Sequence, residues 1–122
     1  MYLKKKPKIL YRENFDNKRM RSPTEIKKVI EMRLRSYLSR DRTGIRREVL
    51  RLFVKTKSIT IAELVAELQK QFVVTFHAIA SMVGIIASRI GILRATRNAG
   101  GVNSYELKEK YVSIVVGIVG VC

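Results

Sequence analysis

The chain has 122 residues, enough for one domain with a modest core, and 47% of them are hydrophobic. Its 25 Lys and Arg against 10 Asp and Glu give a formal net charge of +15, which is typical of proteins that meet polyanions, with a purely solvated basic surface as the alternative. A single histidine, His77, and a single cysteine, Cys122, exclude a four-ligand zinc site within one chain. The acids are scattered, so we expect no metal, no cofactor and no enzymatic activity, and the lone thiol fits a reducing cytoplasm.

The first 21 residues carry eight Lys and Arg, two acids and only scattered apolar positions. This composition predicts a flexible basic arm. No run of seven or more apolar residues follows the lysines, so the segment lacks the pattern of a secretory signal. An alternative is that translation begins at Met20 and that the arm is an extension.

A strong helix start follows the arm. Ser22 can cap a helix, Pro23 suits the first helical position and Glu25 completes a capping box, so we predict a helix to about Ser39. Apolar residues recur three or four positions apart along it, which predicts one buried stripe. The stripe consists of Ile26, Val29, Ile30, Leu34, Tyr37 and Leu38.

A second helix is predicted from Ile45 to about Lys55, after an interruption at residues 41–44. Arginines cluster around the turn between these two helices, and the planar guanidinium fork can bind phosphate oxygens in pairs. We take them as candidate phosphate contacts: Arg40, Arg42, Arg46, Arg47 and Arg51. Alternatively, Arg47 and Arg51 pair with Glu48 or lie solvated.

Two helices joined by a tight turn are predicted next. Residues 58–60 form a short β-favouring run, and Thr60 with Glu63 gives a second capping box, so a helix begins at Ile61. Thr75 caps the next helix, which ends near Ile90 because Gly91 can adopt the left-handed conformation that closes a helix. The apolar stripes are Ile61, Leu64, Val65, Leu68 and Phe72 on the first helix, and Phe76, Ile79, Ala80, Val83, Ile86, Ala87 and Ile90 on the second.

A β-hairpin is predicted after Gly91. Residues 92–97 have the composition of a strand, residues 98–103 contain the pair Gly100-Gly101 and form a loop, and residues 104–107 form the return strand.

The order of these elements between residues 58 and 108 resembles the winged helix-turn-helix superfamily. The segment from Ser22 onward also resembles a small, functionally uncharacterised family of archaeal winged-helix proteins. The implied fold is mostly α with a small β-hairpin wing (α+β), extended by an N-terminal helix and by a C-terminal apolar helix or strand. The implied organisation is a basic arm at 1–21, a winged-helix domain with its N-terminal helix at 22–108, and an apolar segment at 109–122.

The resemblance also implies roles for individual residues. In that superfamily the second helix of the pair enters the major groove and the wing contacts the flanking backbone or minor groove. The reading helix would then run from Thr75 to Ile90, and it carries one arginine and no lysine, fewer cations than base-reading helices usually present. The groove-facing candidates are His77, Ser81, Ser88 and Arg89, and the wing candidates are Arg94, Arg97, Asn98 and Asn103.

The C-terminal segment is apolar. Helical spacing returns there, but residues 112–121 are so rich in β-branched side chains that a strand is also possible. The run is shorter than the roughly 20 residues needed to span a bilayer, so we expect no membrane partner. We expect a homodimer interface here, with packing inside the subunit as the alternative. The interface residues would be Leu107, Tyr111, Ile114, Val115 and Ile118.

These features together favour a non-enzymatic protein that binds duplex DNA, most simply a dimeric transcriptional regulator in the cytoplasm. A low-specificity nucleic-acid binder, acting on chromatin or RNA, is one alternative, favoured by the weakly charged reading helix and the basic arm. A protein-protein interaction module with an apolar second helix as its contact surface is another.

Overall fold

A computed structural model describes residues 22–120. The basic arm predicted at 1–21 and the thiol of Cys122 lie outside the described residues. Within them, helices predominate and are accompanied by a small three-stranded antiparallel sheet, which confirms the α+β class. The α-helices are α1 (Pro23–Ser39), α2 (Ile45–Lys55), α3 (Ile61–Leu68), α4 (Phe76–Ile85) and α5 (Val112–Val119); the strands are β1 (Ile59–Thr60), β2 (Leu93–Arg97) and β3 (Asn103–Leu107).

Helix α1 begins at the predicted capping box. The Ser22 hydroxyl accepts a hydrogen bond from the Glu25 amide at 3.2 Å, and the Glu25 carboxylate accepts one from the Ser22 amide at 2.9 Å. Ile30, Leu34 and Leu38 are buried as predicted. Ile26 is exposed, contrary to the prediction, because it lies in the first turn of α1, before the helix reaches the core.

Helix α2 begins with a feature that the sequence pattern did not predict. Gly44 adopts φ +89°, and the Asp41 carboxylate accepts hydrogen bonds from the amides of Gly44, Arg46 and Arg47 at 3.1 to 3.3 Å. These amides belong to the first turn, where a helix leaves its donors unpaired and where its dipole favours negative charge. Residues 41–44 therefore separate α1 from α2 and also form the N-terminal cap of α2.

Helices α3 and α4 pack against each other, and each starts where the sequence predicts. Thr60 and Glu63 form the second capping box, and the Thr75 hydroxyl accepts from the Ala78 amide at 3.1 Å. Two details differ. Helix α3 ends at Leu68, so Phe72 lies in the following turn, half-buried; Phe76 is 56% exposed, because it occupies the first position of α4, before the helix meets the core at Ile79.

The second helix of this pair changes type before it ends. After Ile85 it continues as a π-helix from Ile86 to Ile90, and the Gly91 amide donates to the Ile86 carbonyl at 2.9 Å across five residues. Gly91 has φ +84°, the left-handed conformation predicted for it. Ile86 and Ile90 remain buried in the π-turn.

The sheet is built on the predicted hairpin. Strands β2 and β3 pair with Leu93 opposite Leu107 and Arg97 opposite Asn103, and β1 adds to the other edge of β3, giving the order β1-β3-β2. Asn103, predicted in the loop, is the first residue of β3. Leu93 and Leu107 are buried at the base of the hairpin, so its tip extends away from the core.

After the hairpin a short 3₁₀ turn (Glu109–Tyr111) leads into α5, which settles the choice between helix and strand in favour of a helix. This helix packs against α2 and α1. Leu107, Tyr111 and Val115 are buried inside their own chain, which is the alternative to a dimer interface. Ile114 and Ile118 are half-buried. A homodimer remains a prediction, and its interface would have to exclude the three buried residues.

Candidate nucleic-acid interface

Helix α4 has one buried face and one exposed face. Ile79 and Val83 are fully buried, and the cap at Thr75 fixes where the helix begins. The four residues proposed to face a groove are all exposed: His77 and Ser81 on α4, and Ser88 and Arg89 on the π-helix that continues it. The apolar periodicity of the sequence therefore correctly predicted that these four residues are exposed.

The chemistry of this exposed face differs along its length. The Ser88 hydroxyl donates to the Gly84 carbonyl at 2.7 Å, so its proton is already used within the helix. His77 and Ser81 have no hydrogen-bond partner within residues 22–120, which leaves the imidazole and the hydroxyl able to donate and accept. Arg89 is exposed in the π-turn, and its carbonyl accepts from the Arg33 guanidinium at 3.3 Å.

The hairpin carries its two arginines on the exposed strand β2. The Arg94 side chain is 60% exposed, with the Glu106 carboxylate of the neighbouring strand 4.0 Å away, a long ion pair of small energetic value at a surface. Arg97 is exposed at the end of β2 and has no ion pair within the described part of the chain. Both guanidinium groups are accessible to an anion.

The two asparagines proposed as wing contacts differ in their hydrogen bonds. Asn103 is exposed at the start of β3. The side-chain oxygen of Asn98 accepts hydrogen bonds from the amides of Gly100 and Val102 at 2.9 and 3.1 Å, so this side chain builds the loop. Gly101, at φ +83°, completes the turn. Asn98 therefore stabilises the loop of the hairpin. Because asparagine is common in turns, its residue type was a sequence signal for this role.

The predicted arginine cluster divides into two groups. Arg40 and Arg42 are exposed, and no ion pair involves them among residues 22–120. Arg46 lies over the Tyr37 ring, 4.4 Å from its centroid, and donates to the Tyr37 carbonyl at 2.8 Å. Arg47 and Arg51 donate to the carbonyls of Ile118 and Val119, both at 3.0 Å.

Arg47 and Arg51 donate to the last carbonyls of α5, which the helix itself leaves unpaired. Their main role is therefore to stabilise the fold. The contact of Arg51 with Glu48, at 3.5 Å, was one of the alternatives read from the sequence, whereas the carbonyl contacts were not. Arg40 and Arg42 are the members of the cluster that are free to contact phosphate.

Sequence reasoning missed two groups near these elements. Lys108 and Lys110 line a shallow depression at the base of the hairpin together with Arg94 and Glu109. Val73 is fully exposed just before α4, next to the exposed Phe76. The sequence signal for the lysines was their position directly after the return strand. The apolar residues had none, because Val73 lay in the break between the two predicted helices and Phe76 matched the apolar stripe of the second.

Residues 22–120 contain no group of three or more His, Cys, Asp and Glu placed to hold a metal ion. Among the helices described for this chain, none combines the length and the apolar composition required to cross a membrane.

The chain belongs to the family described as "Protein of unknown function (DUF2551)", which matches residues 34–115. This match extends from the second half of α1 into α5 and includes both the exposed face of α4 and the hairpin. The chain is also 38% identical over 91 residues to an uncharacterized protein of Archaeoglobus fulgidus, a similarity that covers 74% of this chain and 92% of the other. No solved structure matches the chain.

Proposed function

We propose that this chain is a non-enzymatic, winged helix-turn-helix protein that binds nucleic acid, with duplex DNA as its partner. The observation that carries the proposal is the exposed face of α4 and of the π-helix that continues it, which carries His77, Ser81, Ser88 and Arg89 and leads through only Gly91 and Ile92 into a hairpin with exposed arginines. A helix of this kind fits the major groove, and cations on the adjoining hairpin can follow the phosphate backbone.

Charge supports the proposal. Residues 22–120 contain 17 Lys and Arg against 8 Asp and Glu, a net charge of +9, so a large part of the total charge of +15 belongs to the folded region. The cations that have no ion pair among these residues include Arg40, Arg42 and Arg97. We assign phosphate contacts to these three, with Arg94, Lys108 and Lys110 at the hairpin base.

Base contacts fall to the first half of α4. His77 and Ser81 can donate and accept hydrogen bonds at base edges, and the exposed Phe76 ring can contact the methyl group of thymine. Because α4 and its π-helical continuation carry a single cation, Arg89, most of the affinity would come from the phosphates. A low-specificity binder of chromatin DNA or RNA is therefore the second candidate, beside a dimeric transcriptional regulator acting in the cytoplasm.

The proposal is tested by fluorescence anisotropy with labelled duplex DNA, single-stranded DNA and RNA across a series of salt concentrations. If several phosphates are neutralised, log K falls linearly with log salt concentration, by about 0.9 for each phosphate contacted in duplex DNA. Tighter binding of duplex than of single strands supports the first candidate, and equal binding of all three supports the second. A slope near zero would contradict both.

A pair of matched variants connects the test to the hairpin. Arg97→Ala should weaken duplex binding and reduce the salt slope by about one contact. Arg35→Ala is the control, because it removes the same charge from α1 at a side chain that is already paired with Glu31. Equal effects of the two variants would show that only overall charge matters and that the hairpin is not part of the interface.

A further inference from the structure

A groove of about 510 Å³ lies between α1 and the end of α4, on the flank of the exposed face of α4. Its volume is in the range of sites that hold small organic ligands. Its lining residues come from α1, from the turn after it and from the π-helix: Met32, Arg33, Ser36, Tyr37, Arg40, Arg46, Ile85, Arg89 and Ile90. The packing of the core does not account for this groove, and of its lining residues only Arg40 and Arg89 also belong to the proposed nucleic-acid interface.

The groove combines strong positive charge with an apolar surface. Four arginines line it, and no carboxylate does. The nearest acid in the sequence, Asp41, is engaged by three backbone amides at the start of α2, and Glu31 pairs with Arg35. Four guanidinium groups line one concave site that has no carboxylate in its walls, and the charge of Asp41, which acts on Tyr37, offsets only part of this excess, so the site favours an anion.

Two of these arginines make hydrogen bonds beside the groove, Arg46 in a partly buried position and Arg33 in an exposed one. Arg33 donates from one nitrogen to the Arg89 carbonyl, and Arg46 donates to the Tyr37 carbonyl while stacking on the Tyr37 ring. Each guanidinium group has five N–H donors, so most of them remain available to a ligand. Such pre-positioned side chains lose less conformational entropy on binding.

Two unusual features lie at the same place. The Tyr37 hydroxyl is buried without a hydrogen-bond partner, the single side-chain polar atom of that kind among the described residues. The far wall is the junction at which α4 becomes a π-helix, a distortion that frequently occurs at functional sites. Ile85 and Ile90, from this junction, form the apolar wall.

We propose that this groove binds a small organic phosphate with an apolar body. The phosphate would contact the guanidinium groups of Arg33, Arg40 and Arg89, and the apolar body would lie against Ile85, Ile90 and Met32. The apolar wall is the reason for choosing an organic phosphate over the backbone of DNA or RNA, whose phosphates are flanked by sugars. This inference does not depend on nucleic-acid binding.

The test uses the full-length chain labelled with ¹⁵N and three probes: 1-naphthyl phosphate, inorganic phosphate and 1-naphthol. We expect naphthyl phosphate to shift the amide resonances of Met32, Ile85 and Arg89, and to bind at least about tenfold more tightly than either fragment, because only the intact molecule contacts both surfaces. No shifts in the groove, or equal affinity for naphthyl phosphate and inorganic phosphate, would overturn the inference.

Variants locate the site. Arg33→Gln should weaken naphthyl phosphate binding by about tenfold, the usual effect of losing one charge-assisted contact. Ser36→Phe should weaken it as well by filling the groove, without removing charge. Arg35→Gln, on the same helix but outside the groove, should bind as the unmodified chain does. Equal affinity of all three variants would overturn the inference.

Discussion

Asp41 determines where α2 begins, because both of its carboxylate oxygens accept hydrogen bonds from amides in the first turn of that helix. Gly44 makes this possible by adopting φ +89°, which brings the chain around toward the carboxylate. One side chain thus satisfies three of the amides that a helix start leaves unpaired. The position of every arginine on α2 depends on this cap.

We therefore expect Asp41→Ala to reduce the free energy of unfolding by about 1 to 3 kcal/mol, since it removes a cap and leaves partly buried amides without acceptors. Asp41→Asn should lose less, because one side-chain oxygen remains. Urea denaturation followed by circular dichroism measures both. A change below about 0.5 kcal/mol in the alanine variant would be inconsistent with this role.

Tyr37 predicts a pH effect. Burial raises the pKa of its hydroxyl above the ordinary value of 10.0, the Arg46 guanidinium opposes this and Asp41 adds to it. The folded chain therefore holds the phenolic proton more tightly than the unfolded chain does. Stability from this group is present below the unfolded pKa of 10.0 and is lost as the pH rises above it.

Tyr37→Phe should accordingly be at least as stable as the unmodified chain at neutral pH, because it removes a buried hydroxyl that has no partner. It should also lose less stability than the unmodified chain between neutral pH and strongly alkaline pH. Urea unfolding at several pH values tests both statements. Clear destabilisation at neutral pH would mean that the hydroxyl has a partner in solution.

At the scale of elements, α5 is a helix despite its composition. Its sequence is dominated by Val and Ile, whose branched side chains disfavour helices. Two tertiary interactions oppose this preference: Val115 and Val119 are buried against the helices of the core, and Arg47 and Arg51 hold the carbonyls at its end. The helix is therefore stabilised by its neighbours.

Arg40 and Arg42 are exposed, whereas Arg47 and Arg51 bind carbonyls of α5. Two double variants that remove the same charge can therefore separate binding from stability. Arg40→Ala with Arg42→Ala should lower nucleic-acid affinity and leave the melting temperature nearly unchanged. Arg47→Ala with Arg51→Ala should lower stability, by about 1 kcal/mol for each hydrogen bond lost, because carbonyls of α5 are left unpaired. Anisotropy and thermal unfolding on the same preparations compare the pairs. Equal effects on both quantities would contradict the assignment.

The elements that the sequence predicted are those defined by local rules. The caps at Ser22, Thr60 and Thr75 depend on residues three positions apart, and the closure at Gly91 depends on one residue. The outward face of α4 follows from periodicity, which is also local. These rules located the helices and most of the candidate interface.

The features that the sequence did not predict depend on contacts between distant residues. Arg47 finds its acceptor at Ile118, 71 positions away, and nothing near Arg47 indicates this. Phe76 satisfies the apolar spacing of α4 but lies in its first turn, where no neighbouring element covers it. The groove at Arg33 could not be predicted either, since it exists only when α1 packs beside the π-turn.

At the scale of the whole molecule, α5 joins the end of the described chain to its beginning through its contacts with α1 and α2. We expect removal of residues 109–122 to abolish cooperative unfolding, because it uncovers the buried face of α2. Urea titration and sedimentation of the shortened chain test this. A stably folded monomer would contradict it and would support the dimer interface predicted from the sequence.

The distance along the chain between Arg47 and its acceptor also has a consequence for synthesis. Ribosomes add residues one at a time, over seconds for a chain of this size. The cap at Asp41 and the helix pair can form as soon as they emerge, whereas α2 keeps an uncovered apolar face until residues 112–119 are released. The nascent chain therefore completes its core only after α5 has left the ribosome, and until then its folding intermediates present that face to chaperones and to other chains.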